Sequence, residues 1–353
     1  METQFGEQIS PFVKMEESGG GPATEVIPEV KILPEFNYSA AHKTIRHIPV
    51  LEETRDGSAR LAIARSYLRV SGRRRTFEDR QRALLGAYKK QEVGPAPMPR
   101  HVRRDLNPKP RMHGQLESMQ LTPSTYKGEL TDVFYLHGGG YCQPPGLPQW
   151  WLTAALAEKL NTRVHSMRYP LIPHSTAVNT VALVVEAYLA VVAELGEAPI
   201  VAGDSSGGGL SLALALTLRD IGAPLPAHLI LLAPWIDLTA STPGFEDCES
   251  RDPLLALPGI DLASEIYAGA LDRKNPIVSP LFGDPTGLCP TTVVLGTNDS
   301  LFAEGCAWVD KAEQAGVDVG TFIAKGGFHV FPAATWLPES QEAYTYIKHR
   351  VSE

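Results

Sequence analysis

The stretch Pro199-Ile200-Val201-Ala202-Gly203-Asp204-Ser205-Ser206-Gly207-Gly208-Gly209-Leu210 reads as an apolar strand, a glycine-flanked serine and the start of a helix. The helical side continues as Ser211-Leu212-Ala213-Leu214-Ala215-Leu216. This is the context a nucleophile elbow requires: the serine sits on a tight turn, and glycines on either side allow strand and helix to approach closely. The register is fixed, because Ser206 would need glycine at position 204 and finds Asp204. The pattern alone also fits an ordinary surface turn. The difference lies in whether a base, an orienting acid and an oxyanion-binding loop occur elsewhere in the required order.

Working outward, the chain from about 116 alternates apolar runs with helical patterns. Expected strands are Leu116–Leu121, Val133–Leu136, Arg163–Met167, Ile200–Ala202, Leu229–Leu232, Thr292–Leu295 and Thr321–Ala324. Expected helices include Thr176–Glu194, Leu210–Ile221, Phe302–Ala315 and Pro338–His349. Continuous apolar strands separated by helices predict an α/β fold, with a mostly parallel central sheet covered on both faces.

A serine hydroxyl needs a base, and the base needs a carboxylate to orient it. Asp299 follows the apolar run ending at Leu295, and His329 follows Gly326-Gly327-Phe328 after the next expected strand. Ser205, Asp299, His329 is the chain order of the α/β-hydrolase arrangement. Upstream, His137-Gly138-Gly139-Gly140 directly follows the strand Val133–Leu136. Such a loop aims backbone N–H groups at a developing oxyanion. Gly138, Gly139 and Gly140 are therefore the expected oxyanion hole, completed by the N–H of Ser206. Tyr141 and Phe328 adjoin these motifs and are expected at the substrate pocket. Trp150, Trp151 and Phe282 read more simply as core.

Together these residues resemble the hormone-sensitive-lipase-like carboxylesterases. The resemblance rests on His137-Gly138-Gly139-Gly140, Gly203-Asp204-Ser205-Ser206-Gly207-Gly208, Asp299 in a Gly-x-x-Asp-x-Leu setting, and His329-Val330-Phe331. Arg168-Tyr169-Pro170-Leu171-Ile172-Pro173, Pro234-Trp235-Ile236-Asp237-Leu238-Thr239 and Ser279-Pro280-Leu281 add to it, over roughly residues 75 to 350. It implies an α/β-hydrolase fold with a helical cap, and hydrolysis of short-chain carboxylic esters or lactones without a cofactor or metal. It also implies that His137 holds the glycine loop. An acyltransferase or a dedicated lactonase would share the same core, and a small-molecule receptor on this fold could dispense with His329. The sequence departs from the family at Ser206, where alanine is usual, and at His174-Ser175, where an acid is lost.

The rest of the chain sets bounds. Three parts are expected: an extended arm over residues 1–58, a helical cap segment over 59–115, and the hydrolase core over 116–353 with a cap insert near 242–270. A net charge of −8 argues against nucleic acid as a partner. The run Gly72-Arg73-Arg74-Arg75 reads as a solvated face. No run of 18 apolar residues occurs, so no membrane span is expected. Cys142, Cys248, Cys289 and Cys306 lack metal spacing and read as free thiols, which with no visible signal peptide points to the cytoplasm. The expected partner is a small ester or lactone; the arm leaves open a homodimer or a pocket cover.

Overall fold

The computed structural model describes residues 57–353. The expectations for the arm lie outside the described residues, apart from its last two. Ser58 caps the first helix, α1 (Ala59–Val70), by accepting the Leu61 N–H at 3.1 Å. Helices α2 (Arg73–Glu78), α3 (Arg80–Val93) and α4 (Arg100–Asp105) follow. Strands β1 (Lys109–His113), β2 (Leu116–Leu121) and β3 (Val133–Leu136) come next, then α5 (Leu147–Leu160), β4 (Val164–Arg168) and α6 (Ala177–Leu195). The central part holds β5 (Ile200–Asp204), α7 (Ser206–Asp220), β6 (Leu229–Leu232), α8 (Phe245–Arg251) and α9 (Leu257–Ala268). The chain ends with β7 (Thr291–Asn298), α10 (Phe302–Gln314), β8 (Val319–Phe328) and α11 (Pro338–Val351).

The eight strands form one sheet in the order β1-β2-β4-β3-β5-β6-β7-β8. β1 and β2 are antiparallel to their neighbours and the other strands are parallel. The sheet is apolar on both faces because successive side chains point to opposite sides. Phe134, Leu136, Val201, Leu229, Leu231 and Val293 join one core. Val133, Tyr135, Ile200, Ala202, Ile230 and Leu232 join the other. Burying each large aliphatic residue here contributes about 1.5–3 kcal/mol.

After β3 the chain crosses to β4 on one side, then returns to β5 on the other side of β3. Such a reversal opens a crevice beyond the carboxyl ends of the strands. The loops leaving β3 and β5 face each other there, which brings the glycine loop beside the elbow.

Three differences from the sequence reading have physical causes. The sheet begins at Lys109, inside the span expected to be helical cap. β1 is an edge strand whose first four residues are exposed, so Lys-Pro-Arg-Met carries no apolar alternation. β8 runs through Gly326-Gly327 to Phe328, where a loop was expected. Its register against β7 shifts between Gly296 and Asn298, a bulge that the glycines accommodate. α6 is long and apolar enough to cross a membrane, yet Val181, Val184, Ala187, Tyr188 and Val191 on it are buried in the core.

Over the crevice, α9 packs on α2 and α3. Gly259 lies so close to Phe77 that a Cβ there would meet its backbone. Arg74 ties the two pieces together. Its guanidinium donates to the carbonyls of Glu249 and Asp252, each at 2.9 Å, and to that of Leu255, and pairs with the Glu249 carboxylate at 2.5 Å. The arginine run is thus not simply a solvated face: Arg74 is a cross-link between α2 and the segment after β6. All four cysteines are buried and unpaired.

Candidate active site

Ser205 occupies the turn between β5 and α7 with φ +52°, a conformation uncommon for a residue with a side chain. The turn is held by its own backbone: Ser205 N–H donates to Leu232 O at 2.9 Å, and its carbonyl accepts from Trp235 N–H at 2.9 Å. Flanking glycines are sterically required. A Cβ on Gly203 would run into the Gly207 carbonyl, and one on Gly207 into Leu136 and His137.

The strand ends bring the other two residues to it. His329 Nε2 lies 2.9 Å from Ser205 Oγ. Its Nδ1 lies 3.0 Å from both carboxylate oxygens of Asp299. A carboxylate only accepts, so Nδ1 carries the proton and Nε2 is left to accept from the serine hydroxyl. Asp299 is buried and also accepts the Leu301 N–H at 2.9 Å.

The glycine loop lies across from the elbow. Gly139 and Gly140 have φ of +130° and +61°, and both line the cavity with Ser205. Their N–H groups have no acceptor among the described residues. As the first residue of α7, Ser206 also has its N–H outside the helical ladder. Gly138 differs from its expected role. Its N–H donates to Asp204 Oδ1 at 2.7 Å, so it anchors the loop and is not available to an oxyanion. His137 fills its expected place: its ring stacks on Tyr169 at 4.4 Å, and its carbonyl accepts the Tyr169 hydroxyl at 2.5 Å.

A cavity of about 880 Å³ leads from the cap to Ser205. Phe328 and Trp151 line it, as do Tyr67, Phe77, Leu255 and Ile260 from the cap. Tyr141, expected at the pocket, is instead buried beneath the loop, stacked on Tyr267 at 3.6 Å. Its positive φ of 58° turns the side chain into the core. Among the described residues no cluster of His, Cys, Asp and Glu could hold a metal ion.

A family model described as the alpha/beta hydrolase fold matches residues 133–333. Among solved structures, a hormone-sensitive-lipase homologue from a metagenome library superposes with a TM-score of 0.71 at 27% identity, covering 83% of this chain and 97% of that one. The chain belongs to the hormone-sensitive-lipase-like carboxylesterases. A curated esterase of Acinetobacter venetianus is 31% identical over 222 residues, 61% of this chain and 72% of that protein. An acetyl-hydrolase of Streptomyces hygroscopicus is 32% identical over 218 residues, 60% of this chain and 72% of that protein. The protein is thus a carboxylic-ester hydrolase.

In this carboxylesterase the charges around the histidine are tuned. Burial alone pushes the His329 imidazole toward its neutral form, but the charge and hydrogen bond of Asp299, with Asp252 and Asp204 behind, raise its pKa above 6.5 on balance. Asp252 was not singled out from sequence as part of the site. It is buried, and its Oδ2 accepts the N–H and the hydroxyl of Ser300, both at 2.8 Å. Its Oδ1 accepts the N–H groups of Leu254 and Leu255 at 2.7 and 3.0 Å. It therefore fastens the Asp299 loop to the segment between α8 and α9. Burial, then the nearby Asp299 charge, raises its own pKa. Glu304 was missed as well; its Oε1 accepts the Ile236 N–H at 2.6 Å and steadies the segment that carries Trp235 beside the cavity. Its burial, then the Asp237 charge, holds it well above the usual carboxylate range. Neither acid has a local motif; both act across more than forty residues of chain.

Proposed function

We propose that this carboxylesterase works by a serine mechanism with an acyl-enzyme at Ser205. The continuous hydrogen-bonded line Ser205–His329–Asp299 carries the reading. Ser205 Oγ attacks the acyl carbon while its proton passes to His329 Nε2. The carbonyl oxygen becomes an oxyanion within reach of the Gly139, Gly140 and Ser206 N–H groups. Each such donor is worth on the order of 3 kcal/mol to the transition state. Collapse breaks the ester C–O bond, and the alkoxide takes the proton from His329. Water then loses a proton to His329 and attacks the acyl-serine; the bond to Ser205 Oγ breaks, Oγ takes the proton back from His329, and the acid is released. Asp299 keeps Nδ1–H oriented throughout and stabilises the imidazolium.

The substrates proposed are carboxylic esters with short acyl chains, including lactones. The cavity is in the size range of drug-like ligands, so the apolar part of the substrate reaches the cap residues Tyr67 and Phe77. A receptor needs no base against its serine, and the 2.9 Å contact of His329 with Ser205 favours turnover. Labelling with a fluorophosphonate tests the assignment. The adduct is expected on Ser205 alone, and Ser205→Ala is expected to lose labelling and esterase activity together. Labelling elsewhere, or full activity in Ser205→Ala, defeats it.

A further inference from the structure

One corner of the cavity carries positive charge with no carboxylate at ion-pair distance among the described residues. Arg73, at the start of α2, lines the cavity, as does Gln143 from the segment after the glycine loop. Gln143 N–H donates to Gly139 O at 3.0 Å, so this corner adjoins the oxyanion loop. Lys90 of α3 donates to Gln143 Oε1 at 2.6 Å. An ammonium only donates, which fixes the carboxamide with its oxygen toward Lys90 and leaves its NH2 as a donor. Neither Arg73 nor Lys90 has a carboxylate at ion-pair distance among the described residues. Burial lowers the Lys90 pKa; Cys142 opposes this and Arg73, a smaller influence, adds to it, so the two cations feel each other. Cys142 offers no anion, because burial pushes its thiol up to about 12. The contrast with Arg74 is sharp: that neighbour spends its guanidinium on Glu249 and on backbone carbonyls.

We propose that Arg73, Lys90 and the Gln143 carboxamide form an anion subsite, so that the enzyme selects esters bearing a second, free carboxylate a few bonds from the scissile group. A guanidinium matches a carboxylate in a planar, two-point fashion, and the carboxamide NH2 adds a third donor. The subsite rests on the ester-hydrolase reading above, since the selected ligand is its substrate. It adds a polar end to a cavity whose remaining lining is largely apolar, so the fitting substrate is amphipathic.

Two matched pairs of esters test this. Methyl hydrogen glutarate against methyl pentanoate places the carboxylate on the acyl side. Butyryloxyacetate against ethyl butyrate places it on the alcohol side. For each pair the ratio of kcat/KM, anionic over neutral, is followed by pH-stat in wild type, Arg73→Gln, Lys90→Gln and Arg73→Lys. Intrinsic reactivity cancels when one enzyme's ratio is divided by another's. For at least one pair, the ratio is expected to fall roughly three- to ten-fold in Arg73→Gln and in Lys90→Gln, to be largely kept in Arg73→Lys, and to decline with added salt in wild type. Ratios that agree within about two-fold across all four enzymes in both pairs overturn the subsite. Absence of turnover of any of these esters overturns the ester-hydrolase reading and the subsite with it; turnover with unchanged ratios overturns the subsite alone.

Discussion

Replacing Asp204 isolates the contribution of the residue beneath the oxyanion loop. Its carboxylate is buried. Oδ1 accepts the Gly138 N–H at 2.7 Å and the Tyr135 hydroxyl, and Oδ2 accepts from Gln149 Nε2 at 3.2 Å. Asp204→Ala leaves the Gly138 and Tyr135 donors buried without an acceptor. At about 1–3 kcal/mol for each orphaned donor, the loss of stability is roughly 2–6 kcal/mol. At about 2 °C per kcal/mol for a chain of this size, the melting temperature falls by roughly 4–12 °C. The same change frees Gly138, which holds Gly139 and Gly140 in register with Ser205. Displacing even one oxyanion donor costs about 100-fold in kcat or more. Asp204→Asn is the control. Its carbonyl oxygen still serves Gly138 and Tyr135, and only the Gln149 contact is lost. Gln149 cannot simply turn over to recover it, because its Oε1 already accepts the Gly146 N–H at 3.0 Å. The expected cost of Asp204→Asn is therefore about 1 kcal/mol, with kcat affected far less than in the alanine variant. Calorimetry and steady-state hydrolysis of 4-nitrophenyl butyrate measure both quantities. The reasoning is refuted if Asp204→Ala melts and turns over like wild type, or if asparagine is as damaging as alanine.

Other outcomes follow from the same contacts. Catalysis needs neutral His329, and its pKa is raised, so kcat/KM is expected to fall as pH drops through a value above 6.5; Asp252→Asn removes one of the charges that raise it and should move that acid limb to lower pH, which a pH–rate profile reads directly. Asp299→Asn is expected to lower kcat by roughly 10³–10⁴-fold with little change in KM, because an asparagine amide can present its NH2 to Nδ1 and favour the wrong tautomer; steady-state kinetics of the purified variant check it. His228 is buried against Thr292 Oγ1 at 2.8 Å, and burial, then Arg350, lowers its pKa to about 4. Its folded value lies below the unfolded one, so the fold holds its full stability above about pH 6.5 and loses up to about 3 kcal/mol as pH falls toward 4; urea melts at several pH values should show this dependence weakened in His228→Gln.

The parts legible in the sequence were those written in consecutive residues. Gly203–Gly207 and His137–Gly140 each encode a local backbone shape, and each follows a strand whose apolar run is itself easy to read. Asp299 and His329 were found because strand ends deliver residues to one edge of the sheet in a known chain order. What remained hidden depends on approach between distant segments. Nothing local distinguishes Gly138 from Gly139, yet Asp204 claims only the former's amide. Asp252 and Glu304 look like ordinary acids until Ser300 and Ile236 are brought against them. Arg74 sits between two arginines of the same chemistry and differs from Arg73 only in the direction its helix position gives it. Tyr141 was misplaced for a related reason: adjacency to the loop in sequence does not survive a backbone that turns the ring inward.

The most direct test is the acyl-enzyme itself. Turnover of 4-nitrophenyl butyrate is quenched in acid within the first cycle, and the intact protein is weighed and mapped. The serine mechanism predicts a mass increase of one butyryl group, located on Ser205 and absent from Ser205→Ala. Hydrolysis that proceeds with no acylated protein at any quench time, or with the acyl group on another residue, contradicts it.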